Sequence, residues 1–245
     1  MTEQLLRIGN FTSSEIVALT KLAKDGKSFG TAALTYIEEK NMERRLGRSL
    51  DSESNARPLT WGKLIEKRVF DLLGIEYSLT SEETISHPSI SCWSGSPDGT
   101  KENTVIDIKC PITLKSFCQL VDVIYGDKPY SGIDAIDIIR GNHPSGEKYY
   151  WQLVSNAILT SSKYAELIVY VPYKSELEAI RELANNYDGT DQRNYAWINF
   201  ADDNELPYLN DGGYYKNLNV IRFEVPESDK IVLTEKVLQA QKLLI

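Results

Sequence analysis

The chain has 245 residues, of which 42% are hydrophobic and 25% charged, the make-up of an ordinary globular protein long enough to bury a full core. No apolar run approaches the roughly 18 residues that cross a bilayer, and MTEQLLRIGN lacks the basic-then-apolar layout of a signal peptide, so a cytoplasmic location is expected. Cys92, Cys110 and Cys118 form no CxxC pair, which speaks against a zinc ribbon or iron–sulfur cluster and for plain thiols in a reducing compartment. The net charge of −8 is unevenly spread. Residues 174–213 hold nine acids against Lys174, Arg181 and Arg193, so this one stretch supplies six of the eight net negative charges. The remainder is close to neutral, and an anionic partner is not excluded.

Thr12-Ser13-Ser14-Glu15 reads as a capping box opening a short helix with Ile16, Leu19 and Leu22 on one side. A second helix is predicted over residues 31–46, stopped by Gly47, and the polar stretch 47–58 reads as a loop. In TWGKLIEKRVFDLLG, Thr60 can cap a third helix that buries Trp61, Leu64, Ile65, Val69, Leu72 and Leu73 and ends at Gly74, with Glu66 at the margin of the apolar stripe. Residues 89–93 and 104–109 read as two strands of a hairpin. Residues 112–147 are mixed, with turn signals at Gly126, Gly132 and Gly141. A helix over residues 149–159, a strand over 165–172, a strand in NLNVIRFEVP and a closing helix over 227–244 complete the pattern. Strands alternating with helices predict an α/β fold with a mixed central sheet.

The chemistry concentrates in Ser96-Pro97-Asp98-Gly99 followed by Asp107-Ile108-Lys109. Side chains two apart on a strand share a face. Val105, Asp107 and Lys109 therefore point one way, while Ile106 and Ile108 point into a core. Carboxylates with a main-chain carbonyl suit Mg²⁺, and a lysine beside them can orient an attacking water or stabilise a pentacoordinate phosphate. The bland alternative is a surface hairpin with a turn aspartate and an exposed Asp–Lys pair.

SPDG and DIKCP, preceded by WGKLIE and followed by a helical Gln152, resemble the PD-(D/E)xK nuclease superfamily. Within it the likeness is to the phage lambda exonuclease (YqaJ-like viral recombinase) family. The pieces run in the family's order from RIGNFTSSEI to the closing helix. The resemblance implies a restriction-endonuclease-like core, a mixed central β-sheet flanked by helices, in one nuclease domain over residues 1–245 with insertions near 112–147 and 174–213. It implies that Asp98, Asp107 and the Ile108 carbonyl ligate Mg²⁺ (or Mn²⁺), that Glu66 faces the metal centre, that Lys109 acts on the nucleophilic water, and that Gln152 helps to position that water. It implies a 5′-phosphate pocket of Arg7, Ser14, Ser96 and Lys115. It also implies digestion of double-stranded DNA from a 5′ end by a ring-shaped trimer beside a single-strand annealing protein. The chain departs from the family at Asp107, where Glu is usual, and at Lys115, where Arg is usual, which loses bidentate recognition.

The alternatives are an endonuclease with the same site and a catalytically silent DNA-binding protein. Ser13 and Ser14 in the first turn of a capped helix would favour an anion, with Arg7 near; the opposing reading has Thr12 as cap, Ser14 solvated and Arg7 a surface charge. Lys40, Arg44 and Arg45 read either as DNA-backbone contacts or as a solvated helix face. Trp61 reads as core by its periodicity, and His87-Pro88 and His143-Pro144 read as turns.

Overall fold

The computed structural model describes residues 7–50, 56–74, 77–79, 83–187 and 192–245. In chain order they form β1 (Phe11–Thr12), a 3₁₀ helix at Ile16–Thr20, α1 (Thr31–Leu46), α2 (Arg57–Leu72), β2 (Ser78–Leu79), β3 (Ile85–Ser86), β4 (Trp93–Gly95), β5 (Gly99–Lys101) and β6 (Thr104–Lys109). There follow α3 (Leu114–Val121), α4 (Gly132–Asn142), α5 (Gly146–Leu159), β7 (Tyr164–Tyr170), α6 (Leu177–Asn185), α7 (Ala196–Phe200), β8 (Leu218–Glu224) and α8 (Glu227–Gln241).

The larger sheet has the order β2-β5-β6-β7-β8. Its β6 and β7 run parallel with Asp107 opposite Leu167, and the other neighbours are antiparallel, so the sheet is mixed. A parallel pair needs a crossover connection. Here residues 110–163 supply it, and within them α3, α4 and α5 cover one face of the sheet. Val105, Leu167 and Val169 pack on that side with Phe117, Ile136, Leu153 and Val154. Ile106, Ile108, Ile168 and Tyr170 pack on the other side with Trp61, Leu64 and Ile65 of α2 and Ile180 of α6. With both faces covered, β6 reads as a buried strand carrying one charged pair at its end. A second, three-stranded sheet joins β1 to β4 in parallel and β4 to β3 antiparallel. The α/β architecture with helices flanking mixed sheets is the one expected.

Helix α1 spans residues 31–46 and ends at Gly47, which takes φ +64° as its C-terminal stop. Helix α2 begins three residues before Thr60, with Pro58 in its first turn, and ends at Leu72. Thr60 is therefore no cap: its hydroxyl accepts from Trp197 Nε1 at 3.0 Å. Trp61, Leu64, Ile65 and Val69 are buried as expected, but Leu72 is 38% exposed. Of the predicted loop at 47–58, residues 51–55 lie outside the described residues, and Arg57 and Pro58 are helical.

Three expectations need correction. The Thr12–Glu15 capping box is absent. Thr12 is in a strand, Glu15 precedes a five-residue 3₁₀ helix without a side-chain cap, and Leu22 lies beyond it in a bridge with Phe29. Tyr36 decides this, because its hydroxyl accepts the Thr12 N–H at 2.9 Å and lies 3.4 Å from the Thr12 hydroxyl. The predicted strand at 89–93 contributes only Trp93, and the hairpin partner of β6 is β5, turned at Glu102 with φ +50°. Residues 112–147 are mostly helical, and Phe117, Leu120, Val121, Ala135, Ile136 and Ile139 sit in the core. The acidic stretch likewise folds inward through Leu177, Ile180, Ala184, Tyr195 and Ile198, while its Asp188 and Asp191 lie outside the described residues.

Candidate active site

Asp98 occupies the turn that leads into β5. The Asp98 N–H donates to the Ile106 carbonyl at 3.2 Å, and Asp98 Oδ2 accepts from the Ile108 N–H at 2.5 Å. The Pro-Asp turn is thus tied to the strand that carries Asp107 and Lys109. Asp107 is fully buried, and Lys109 Nζ lies 2.6 Å from its Oδ2. Beyond that ammonium, no hydrogen-bond donor among the described residues is aligned on either Asp107 oxygen. A fully buried carboxylate is costly, and here Lys109 supplies the compensating positive charge.

Burial and mutual repulsion set the electrostatics around Asp107. Burial, then the charge of Asp107, raises Asp98 well above the usual carboxylate range. Burial also raises Asp107, with Lys109 opposing. Glu66, half-buried on α2, is pushed up to about 7, chiefly by burial with Asp107 adding and Lys109 and Lys63 opposing. Burial pulls Lys109 down, but Asp107 and Asp98 outweigh it and hold the ammonium charged. Burial, Glu66 and Asp98 raise the Cys110 thiol, which places this cysteine beside the same charges. Three carboxyl groups therefore feel one another around a single lysine, and a divalent cation would remove the repulsion.

The donors fit a hard cation in kind: carboxylate oxygens from Asp98 and Asp107 and the carbonyl of Ile108 between Asp107 and Lys109. Among the described residues no three His, Cys, Asp or Glu side chains form a ready cage. Glu66 stands within electrostatic reach of Asp107 and Lys109 rather than gathered against them.

Gln152 is half-buried on α5. One turn earlier on that helix, Tyr149 places its ring 5.0 Å from Lys109 Nζ. Residues three apart share a helix face, so Gln152 lies on the flank of α5 that Tyr149 turns toward Lys109. Tyr149 is the site residue that sequence reasoning missed. Its spacing of three from Gln152 was the available signal. Behind it His143 stacks at 5.4 Å, with Nδ1 accepting from the Ser145 N–H and Nε2 2.8 Å from Ser116 Oγ. His143 is thus a turn residue with a packing role. His87 is another, its Nδ1 accepting from the Ser89 and Ile90 N–H groups.

The four residues of the expected phosphate pocket are drawn together only in part. The parallel register Thr12 opposite Ser94 carries Ser14 and Ser96 to the same end of two adjacent strands. Ser14 Oγ lies 3.4 Å from Thr12 Oγ1, and Ser96 Oγ 3.0 Å from Thr84 Oγ1. Arg7 and Lys115 are exposed, and among the described residues no hydrogen bond or ion pair joins them to the serines. The helix-terminus argument for anion binding at Ser13 and Ser14 falls with the capping box: Ser13 Oγ instead lies 2.8 Å from Ser155 Oγ in the interior.

The basic residues of α1 all have partners within the chain. Lys40 is buried against Glu43 at 2.9 Å, Arg44 donates to the carbonyls of Gly9 and Ile245, and Arg45 pairs with Glu38. Lys40 is thus interior, while Arg44 and Arg45 lie on the exposed helix face that the sequence also offered. Trp61 is core, fully buried. The three cysteines are free thiols, Cys92 being buried. No helix among the described residues is long and apolar enough to cross a membrane.

By sequence, the chain matches no family profile and no curated protein. Solved structures do match it. An alkaline exonuclease from Laribacter hongkongensis is similar over 98% of this chain and 91% of its own, with 16% identity and a TM-score of 0.58. The same enzyme in complex with dAMP gives 17% identity over the same shares and the same TM-score. A phage-related exonuclease from Haemophilus somnus 129PT is similar over 96% of this chain and 92% of its own, with 13% identity and a TM-score of 0.59. From end to end, then, the chain has the fold of these exonucleases, with Asp98, Asp107 and Lys109 clustered on its central sheet.

Proposed function

We propose that the chain is a Mg²⁺-dependent deoxyribonuclease of the PD-(D/E)xK type that digests linear double-stranded DNA from 5′-phosphorylated ends. The observation that carries this reading is the buried Asp107 carboxylate, which among the described residues has only the Lys109 ammonium against it and shares its field with Asp98 and Glu66. The fold shared with exonucleases, one of them described with a bound nucleotide, supports it.

In this reading Asp98, Asp107 and the Ile108 carbonyl hold the cation, with Glu66 facing it. The bound cation supplies Lewis-acid polarisation of the scissile phosphate and lowers the pKa of water. Lys109 and Gln152 orient the attacking water, whose oxygen bonds to phosphorus as the bond from phosphorus to the 3′-oxygen breaks, with the water's proton passing to solvent and the 3′-oxygen taking one from solvent. Lys109 keeps its charge, so it acts by stabilising the negative phosphorane and directing lone pairs. Tyr149 confines the lysine. Arg7, Ser14, Ser96 and Lys115 receive the terminal phosphate, with Lys115 as a point charge rather than a fork.

Resection from a 5′ end exposes a 3′ single strand, the substrate of a single-strand annealing protein in phage-type recombination. A ring-shaped trimer would keep the duplex engaged. Both extend the resemblance in the motifs. One duplex offered with a 5′-phosphate, with a 5′-hydroxyl and as a closed circle tests the reading. Mg²⁺-dependent loss of the 5′-phosphorylated linear form first supports it, and cutting of the closed circle assigns the same site to an endonuclease.

A further inference from the structure

Away from Asp107, a cleft of about 500 Å³ opens between α3 and the segment leading to β8. Its walls include Tyr208, Tyr214 and Tyr215 from that segment and Leu114 and Cys118 from α3. The volume lies within the roughly 300–1,000 Å³ of organic-ligand sites. Tyr214 is 66% exposed, an unusual state for a ring that is nonetheless held in place. It packs edge-on against Tyr215 at 4.9 Å and lies 5.4 Å from Tyr125. Tyr215 in turn meets Phe117 of α3 at 5.6 Å. The tyrosine cluster is therefore fixed to the helix that follows the catalytic strand.

We propose that this cleft stacks a nucleobase of the DNA strand whose 5′ end lies in the candidate active site, a proposal that rests on the nuclease reading and extends it. A rigid exposed aromatic ring offers a stacking platform to any base. The exposed amides of Asn204 and Asn210 at the rim can pair with base edges. Lys174 lies 5.6 Å from the Tyr208 ring, and Lys115 is exposed on α3 between Leu114 and Cys118, so cations stand where a strand's phosphates would pass. Of the acids on the flanking segments, Asp122 accepts from the Tyr215 hydroxyl and Asp211 from Ser175, while the exposed Glu205 stands beside Asn204. Position completes the case. Leu114 is five residues after Lys109, a chain length of at most about 18 Å. At a rise of roughly 3.4 Å per nucleotide of one strand, the cleft serves a base within about five nucleotides of the scissile bond.

The test uses the full chain and a 5′-phosphorylated single-stranded 12-mer with a fluorophore at its 3′ end, in buffer with EDTA so that nothing is cut. Binding is read by anisotropy while a single abasic position is moved through the first five nucleotides. The proposal expects one abasic position to weaken binding about tenfold in the wild type and to have no effect in Tyr214→Ala. It expects Tyr214→Phe, which keeps the ring, to behave as wild type. Equal binding by Tyr214→Ala and wild type, an abasic effect that survives in Tyr214→Ala, or no binding by the wild-type chain overturns it. A change in the molecular mass of Tyr214→Ala in solution also overturns it, since the cleft would then face a second copy. Hydrolysis with an uncoupled cleft removes this proposal alone, and a coupled cleft without Mg²⁺-dependent hydrolysis removes the nuclease reading alone.

Discussion

Asp98 and Ile108 are bonded across the hairpin, the Ile108 N–H donating to Asp98 Oδ2 at 2.5 Å. This bond sets the Pro-Asp turn against β6. An amide at position 98 can still accept the Ile108 N–H through its oxygen but contributes no charge. Asp98→Asn is therefore expected to keep its melting temperature within about 2 °C and to lose at least about 100-fold in hydrolysis rate, a loss typical of removing a preorganised charge. Thermal melts and single-turnover digestion of linear duplex check both halves.

Glu66 ties stability to pH with an opposite sign to most acids. Its carboxyl rises from an ordinary 4.5 to about 7 in the fold, chiefly through burial. Between those values the folded state binds more protons than the unfolded, so this contribution is present below about 4.5 and lost as pH rises through 7. Glu66→Gln should lack that loss and, in EDTA at pH 8, be about 2 kcal/mol more stable than wild type after allowance for partial exposure, or about 5 °C in melting temperature. Mg²⁺ should narrow the gap by stabilising the wild type more than the variant. Melts at pH 5 and pH 8, with and without Mg²⁺, measure it.

Tyr149 holds Lys109 through its ring, 5.0 Å from Nζ. Removing the ring frees the ammonium to swing and opens space for water. Tyr149→Ala should lower kcat about tenfold with little change in KM, whereas Tyr149→Phe should stay within about twofold, as a ring contact worth about 1 kcal/mol implies. Steady-state kinetics on 5′-phosphorylated duplex separate the two.

Much of this architecture could be read from residue order. The helix at 31–46 with its glycine stop, α5, β7, β8 and the start of α8 all follow from periodicity and punctuation. So does the placement of Asp98 against Asp107 and Lys109, since a turn aspartate and two alternating strand residues leave few arrangements. Tertiary contacts decided the rest. Thr12 and Ser13 carry a helix-capping pattern, but Tyr36, 24 residues away, and Ser155, 142 away, claim their polar groups. Lys40 looks like a surface cation until Glu43 is seen to pull it inside. Helix α3 is eight residues long, too short for its stripe of Phe117, Leu120 and Val121 to stand out against the glycines that follow. Tyr149 acquires meaning only when α5 crosses Lys109.

Glu43 is the anchor that joins the N-terminal segment to α1. Its carboxylate accepts from the Gly9 N–H at 2.8 Å, Lys40 Nζ at 2.9 Å and the Leu50 N–H at 3.2 Å. Burial alone would raise its carboxyl, but these donors outweigh burial and hold it below 4.5. Its stabilisation is thus present above pH 4.5 and lost as pH falls through the lowered folded value. Glu43→Ala should cost about 3 kcal/mol at pH 7, the cost of stranding the buried Lys40 cation and the buried Gly9 N–H and freeing the part-buried Leu50 N–H. Urea titrations at pH 7 and pH 3 should show that penalty shrinking with acid.

Gly95 marks the tightest approach around β4. A Cβ there would come 2.1 Å from Ser13 Oγ and 2.5 Å from Asn156 Oδ1. Gly95→Ala must push Ser13 and the strand end bearing Ser14 aside, at about 2 kcal/mol of stability. It should also weaken discrimination between 5′-phosphate and 5′-hydroxyl ends, which a competition digest reads directly.

The most direct test of the central claim is the rate at which purified protein digests 5′-phosphorylated linear duplex in Mg²⁺, compared between wild type, Lys109→Ala and Asp107→Ala. The account predicts digestion by the wild type that EDTA abolishes and that each substitution reduces by at least about 1,000-fold. Digestion that persists undiminished in Lys109→Ala, or a wild type inert with every divalent ion offered, would contradict it.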